Sequence, residues 1–172
     1  MYTKALIIGR FQPFHNGHLF LIKNALKHAD KISIGIGSAN IVNENNPFSY
    51  DLRREMIQRI SSHMKWDGQI DTIFPSNDVP DDNIWLQETL NLASNFDVVI
   101  SNNNWVTDIF SKNNYTVLET GLFQREELEG KLIRDLMNKK DESWKIRVPS
   151  SIHLLLSHNT FHGSRFNGII AS

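Results

Sequence analysis

The apolar run Ala5-Leu6-Ile7-Ile8 meets Gly9-Arg10-Phe11-Gln12-Pro13-Phe14-His15-Asn16-Gly17-His18 at a junction that constrains the fold more than any other stretch. Four apolar residues with β-branched members are too few for a helix and read as a strand buried on both faces. Gly9 permits an unusual dihedral or the close approach of a ligand. Pro13 fixes its own φ and pushes Gln12 away from helix, so the connection is a stiff loop. Beyond it Leu19, Ile22, Leu26 and Ala29 recur at three- and four-residue steps. That is one face of a helix beginning near Gly17, with Asn16 placed as its N-cap.

His15 then falls in the loop and His18 in the first helical turn, beside backbone N–H groups without intrahelical partners. Unpaired donors and the positive end of the helix dipole attract anions, Gly17 lets a phosphate approach the main chain, and two imidazoles add donors. The junction therefore reads as a phosphate site. Two ordinary surface histidines are the plainer alternative. It is disfavoured because a protonated imidazole is unfavourable at a helix N-terminus unless an anion is present.

The same pattern continues down the chain. Lys31 to Ser38 reads as a second parallel strand whose C-terminal end, Gly37-Ser38, opens toward a ligand, and the crossover between the two strands should be right-handed. Ser49 is placed to cap a helix from Tyr50 to Ile60. Gln69 to Phe74 reads as a third strand, the turn-rich Pro75 to Asp82 as a loop, and a helix follows from near Asn83. Asp97 to Ser101 and Tyr115 to Glu119 supply two further strands around a short helix from Trp105 to Lys112. Gly130 to Lys139 reads as a helix, and Pro149-Ser150-Ser151 opens a last one through Leu156. Regular strand–helix alternation predicts an α/β sandwich with a largely parallel sheet.

At 172 residues the chain is expected to form a single domain, 1–172, with the stretch from about 158 unassigned. Cysteine is absent, which excludes disulfides and thiolate metal sites and fits a reducing cytoplasm. No export signal or membrane span is expected. The net charge is −1 with basic residues scattered among acidic ones, so a broad nucleic-acid footprint is not expected and phosphate binding should be local. His158 and His162 have metal-ligand spacing, but Gly163 follows at once and no acidic partner is evident, which favours a frayed end over a metal site.

His-x-Gly-His after a first strand resembles the signature of the nucleotidyltransferase superfamily. The longer Gly-Arg-Phe-Gln-Pro-Phe-His-x-Gly-His is similar to that of the archaeal type of nicotinamide-nucleotide adenylyltransferase. The resemblance spans residues 4 to about 156 and implies a Rossmann-like, doubly wound sheet flanked by helices. The implied activity is transfer of the adenylyl group of ATP to nicotinamide mononucleotide, giving NAD and pyrophosphate, with Mg²⁺ bridging ATP phosphates and no metal-ligating side chains. A homo-oligomer is also implied. His15 and His18 would stabilise the transferring phosphate, and Arg10 and Arg134 would hold the triphosphate. Gly9, Phe11, Gly17, Gly37 and Ser38 would complete the substrate pocket.

Two further family elements match in part. Ser-Gly-Thr-x-Ile-Arg, which holds ATP phosphates, falls on Glu129-Gly130-Lys131-Leu132-Ile133-Arg134, so Gly130, Ile133 and Arg134 match while both hydroxyls are replaced. Lys131 stands in for a phosphate-binding threonine. Asn-x-x-Trp, which contacts the nicotinamide, falls on Asp82-Asn83-Ile84-Trp85, where the indole would stack on the pyridinium, with ordinary core packing as the alternative, and Asp82 would face the carboxamide. A family arginine before Asn-Pro-Phe is Asn45 here, and Lys131, Arg53 or Arg54 could compensate. Two alternatives stay open: a related nucleotidyltransferase with another acceptor, and a nucleotide sensor without catalysis, which the changes at Glu129 and Lys131 would favour.

Overall fold

The computed structural model describes residues 1–159 except Leu122 and Arg125, so His162 lies outside the described residues. Five strands form one parallel sheet: β1 (Tyr2–Gly9), β2 (Ala29–Gly37), β3 (Ile70–Ser76), β4 (Val98–Ile100) and β5 (Val117–Leu118). Their order is β3-β2-β1-β4-β5, with all four pairings parallel. This is the expected Rossmann-like, doubly wound sheet.

β1 lies at the centre because its residues can face apolar surroundings on both sides. Ala5 and Ile7 point into a core built with α1 (Asn16–His28), α2 (Tyr50–Met64), α5 (Gly130–Asn138) and α6 (His153–His158). Leu6 points into a second core with α3 (Asp82–Ala93) and α4 (Asn104–Lys112). The chain runs outward from β1 through β2 to β3, then returns past β1 to β4. The C-terminal edge between β1 and β4 is thus the topological switch point, where open α/β sheets leave a crevice.

Several boundaries differ from expectation for local reasons. β3 continues through Pro75 to Ser76, which an edge strand tolerates because one side of its backbone needs no partner. β5 is only two residues long, since it pairs with a three-residue β4. Asp81 caps α3, taking the Asn83 and Ile84 amides on Oδ1, so that helix starts at Asp82. Ser49 caps α2 as expected, accepting from the Leu52 amide. The last helix is preceded by two 3-10 segments, Glu142–Arg147 and Ser150–Ile152.

Candidate active site

The N-terminus of α1 is capped by His15 rather than Asn16. The His15 Nδ1 accepts the Gly17 amide at 3.1 Å, and the His18 Nδ1 accepts the His15 amide at 3.2 Å, which closes a capping box made of two imidazoles. Asn16 instead donates to the Ile146 carbonyl at 3.0 Å. The Gly17 amide is consequently engaged and is not an open phosphate donor. A Cβ on Gly17 would stand 2.9 Å from His15 Cε1, so this glycine makes room for the imidazole, and it lines the cleft as well.

The same bonds fix the chemistry of the rings. Each Nδ1 is an acceptor, so each neutral imidazole carries its proton on Nε2. Burial lowers the His15 pKa to about 4. Burial also holds the His18 pKa well below its ordinary value, and the nearby His15 lowers it further. Both rings are thus neutral near pH 7 and offer one Nε2–H each. They stack with centroids 3.7 Å apart, and His18 rests on Phe11 at 4.5 Å and Phe14 at 5.4 Å.

Phe11 is fully buried with φ at 52°, which makes it the floor beneath His18 and not a substrate contact. Gly9 has no positive φ and serves it: a Cβ there would meet the Phe11 ring at 3.1 Å. Gln12 is buried and pairs with the Phe48 main chain, donating to its carbonyl at 2.8 Å and accepting its amide at 3.0 Å. The loop is therefore stiff through side-chain bonds as well as through Pro13.

Arg134 donates to the Gln12 carbonyl at 2.7 Å, and Arg10 to Asn46 Oδ1 at 3.3 Å. Burial, and then the neighbouring Arg10, lower the Arg134 pKa. Gly130 brings α5 against the loop, because a Cβ there would lie 2.8 Å from the Gln12 carbonyl oxygen. The remaining members of this motif divide. Ile133 is fully buried in the core, which removes it from the substrate surface. Lys131 is exposed and lies outside the cleft lining, whereas Glu129 and Gly130 belong to that lining.

At the other end of the sheet edge, Ser38 is buried with φ at 48° and donates its hydroxyl to Asp78 Oδ1 at 3.0 Å. Gly37 sits beside Arg10 without a positive φ. Trp85 is only 4% exposed, donates to Ser76 Oγ at 3.0 Å and packs with Trp105 and Phe110. The expected stacking face is thus taken by the core. The exposed indole is Trp105, whose Nε1 donates to Asp82 Oδ1 at 3.2 Å.

Arg10, His15 and His18 share a cleft of about 320 Å³ with Ser101, Asn102, Asn103, Gly121 and Phe123. Asn102 pairs with the Gly121 main chain through both its amide nitrogen, at 2.9 Å, and its oxygen, at 3.0 Å. Sequence reasoning did not single out Asn102, Asn103, Gly121 or Phe123. The available signal was the Ser-Asn-Asn-Asn turn at the C-terminal end of β4, the edge where sites form.

A cleft at the switch point lined by Arg10 and by two neutral imidazoles at a helix N-terminus, with Arg134 bonded to the adjoining loop, defines a nucleotidyltransferase. The chain belongs to the cytidylyltransferase-like family, whose model matches residues 6–147. Nicotinamide-nucleotide adenylyltransferase of Archaeoglobus fulgidus is 35% identical over 153 residues, covering 87% of each chain. That of Methanolobus tindarius is 38% identical over 151 residues, covering 87% of this chain and 84% of the relative. This chain belongs to the nicotinamide-nucleotide adenylyltransferase family. A bifunctional NMN adenylyltransferase/ADP ribose pyrophosphatase from Francisella tularensis superposes with a TM-score of 0.75 at 24% identity, over 88% of this chain and 46% of that one. A second structure of that protein, complexed with AMP and a manganese ion, gives 0.66 at 25% identity, over 81% and 42%. The chain spans less than half the length of that bifunctional protein.

Proposed function

We propose that this chain transfers the adenylyl group of ATP to nicotinamide mononucleotide, forming NAD and releasing pyrophosphate. The observation that carries the reading is the pair of Nε2–H imidazoles at the start of α1, beside Arg10 and Arg134, in a chain of this family. The attacking 5′-phosphate oxygen is already anionic, so no general base is required. Catalysis rests on holding that oxygen in line with the α-phosphorus and on neutralising charge as it shifts to the leaving pyrophosphate. His15 and His18 donate from Nε2 to the transferring phosphate. Arg10 and Arg134 offer planar donors to the triphosphate.

A divalent cation would be carried by the triphosphate rather than by side chains, and Mg²⁺ there would supply charge neutralisation on the phosphate oxygens. We take residues 1–172 as one nucleotidyltransferase domain acting in the cytoplasm without nucleic acid, and as a homo-oligomer on family grounds. Among the described residues no helix is long and apolar enough to cross a membrane.

The test is pyrophosphate release with ATP and a panel of mononucleotides. NAD formation from nicotinamide mononucleotide is expected; turnover only with a different mononucleotide would refute the acceptor, and ATP binding without release would mark a sensor. Asp82 sharpens the acceptor test. If its carboxylate faces the carboxamide, the wild type prefers nicotinamide over nicotinate and Asp82→Asn narrows that preference. A wild-type preference for nicotinate would contradict the contact.

A further inference from the structure

Arg53 is the largest fully buried side chain of the described residues, yet it faces no carboxylate at ion-pair distance. Its guanidinium donates to four backbone carbonyls. Nη1 reaches Arg10 at 2.7 Å and Gly37 at 2.6 Å, Nη2 reaches Ser38 at 3.2 Å, and Nε reaches Ser49 at 3.3 Å. These carbonyls belong to three separate segments: the loop after β1, the end of β2 and the cap of α2. One planar group therefore ties the segments that must keep their spacing at the mouth of the crevice.

Burial of a cation without an ionic partner is costly, and an apolar residue of similar volume is usually no worse for stability alone. Burial, and then the charge of Arg10, push the Arg53 pKa down to about 10, with Asp78 opposing. Asp78 in turn holds the Ser38 hydroxyl. Backbone carbonyls take four of the five N–H donors but leave the positive charge in place beside Arg10.

We infer that Arg53 is a positioning residue: its guanidinium sets the spacing of the loops that carry Arg10 and Ser38, and its buried charge adds to the attraction for polyphosphate. The inference rests on the phosphate-transfer reading of the cleft. Arg53 does not line that cleft and acts through Arg10. Lysine cannot reproduce the clamp, because an ammonium lacks the planar fork that reaches carbonyls on several sides.

The experiment uses the full chain with Arg53→Lys and Arg53→Gln, each checked for folding by urea unfolding and assayed well below its melting temperature. Turnover is read as pyrophosphate release with whichever mononucleotide the panel identifies, and anion affinity as calorimetric binding of inorganic tripolyphosphate. A misplacement of about 1 Å is enough to cost roughly 10²-fold, so kcat per folded molecule should fall about that much in both variants. Tripolyphosphate affinity should hold within about threefold in Arg53→Lys, which keeps the charge, and fall about tenfold or more in Arg53→Gln. A kcat within about twofold of wild type in Arg53→Lys would reduce Arg53 to a stability role and overturn the inference. If Arg53→Lys does not fold, Arg53→Gln decides: wild-type turnover and wild-type affinity in that variant overturn it as well. Because tripolyphosphate binding needs no acceptor, a wild type that binds it but releases no pyrophosphate refutes the transferase reading while the Arg53→Gln affinity still tests the charge.

Discussion

Acidification should destabilise this protein through His15, by an amount that follows from its environment. The imidazole has its ordinary value of 6.5 when unfolded and about 4 when folded, because burial disfavours the charged ring. Between these values the unfolded state binds more protons, so stability rises with pH and is lost as pH falls from about 6.5 to about 4. Full protonation costs at most about 3.4 kcal/mol, from the fall from 6.5 to about 4 at 1.36 kcal/mol per pH unit, an upper bound because the ring is only partly buried. Between about pH 7.5 and about pH 5 the expected loss is about 2 kcal/mol. His15→Asn isolates it, since asparagine can still cap the Gly17 amide but does not titrate. Urea unfolding of both proteins across that range gives the difference. Parallel stability curves would refute the account, and saturating tripolyphosphate should shrink the wild-type loss because a nearby anion favours the imidazolium.

The other site residues make separate expectations. His18→Ala should lower kcat roughly 10²–10³-fold by removing one preorganised donor, and should cost about 1 kcal/mol of stability by losing the bond from the His15 amide; steady-state kinetics with near-wild-type turnover would refute the donor role. Gly130→Ala places a Cβ 2.8 Å from the Gln12 carbonyl oxygen, and the resulting shift of α5 should cost about 1–3 kcal/mol. An unchanged thermal midpoint would show that α5 yields freely. Lys131→Ala should leave the KM for ATP within about twofold, because the side chain is exposed and off the cleft. A large rise in that KM would return Lys131 to the triphosphate.

The alternation of strands and helices, the parallel sheet and the junction that lines the cleft were legible in the sequence because each rests on local signals. Ala5 to Ile8 could only be a doubly buried strand, and Gly9 to His18 carries its own turn and cap chemistry. Less legible was what packs against particular residues. Gly9 and Gly17 read as glycines that admit a ligand; both line the cleft, and they also admit the Phe11 ring and the His15 ring, while Gly130 admits the Gln12 carbonyl. A missing Cβ shows that something comes close without saying what does.

Contacts across long sequence separations decided the rest. Trp85 and Ile133 carry family motifs, but whether such a side chain faces a ligand or the core depends on which helix covers it. Trp85 is covered by Trp105, twenty residues on in the next helix, through a contact that no periodicity encodes. Arg53 read as one of the residues that could compensate for Asn45, and only the meeting of β1, β2 and α2 turned it into a clamp on four carbonyls. Sequence alone determined which chemistry this chain carries, since that depends on residue type and local spacing. The tertiary structure determined which residue of each motif lines the cleft and which one packs beneath it, since that depends on packing between distant segments.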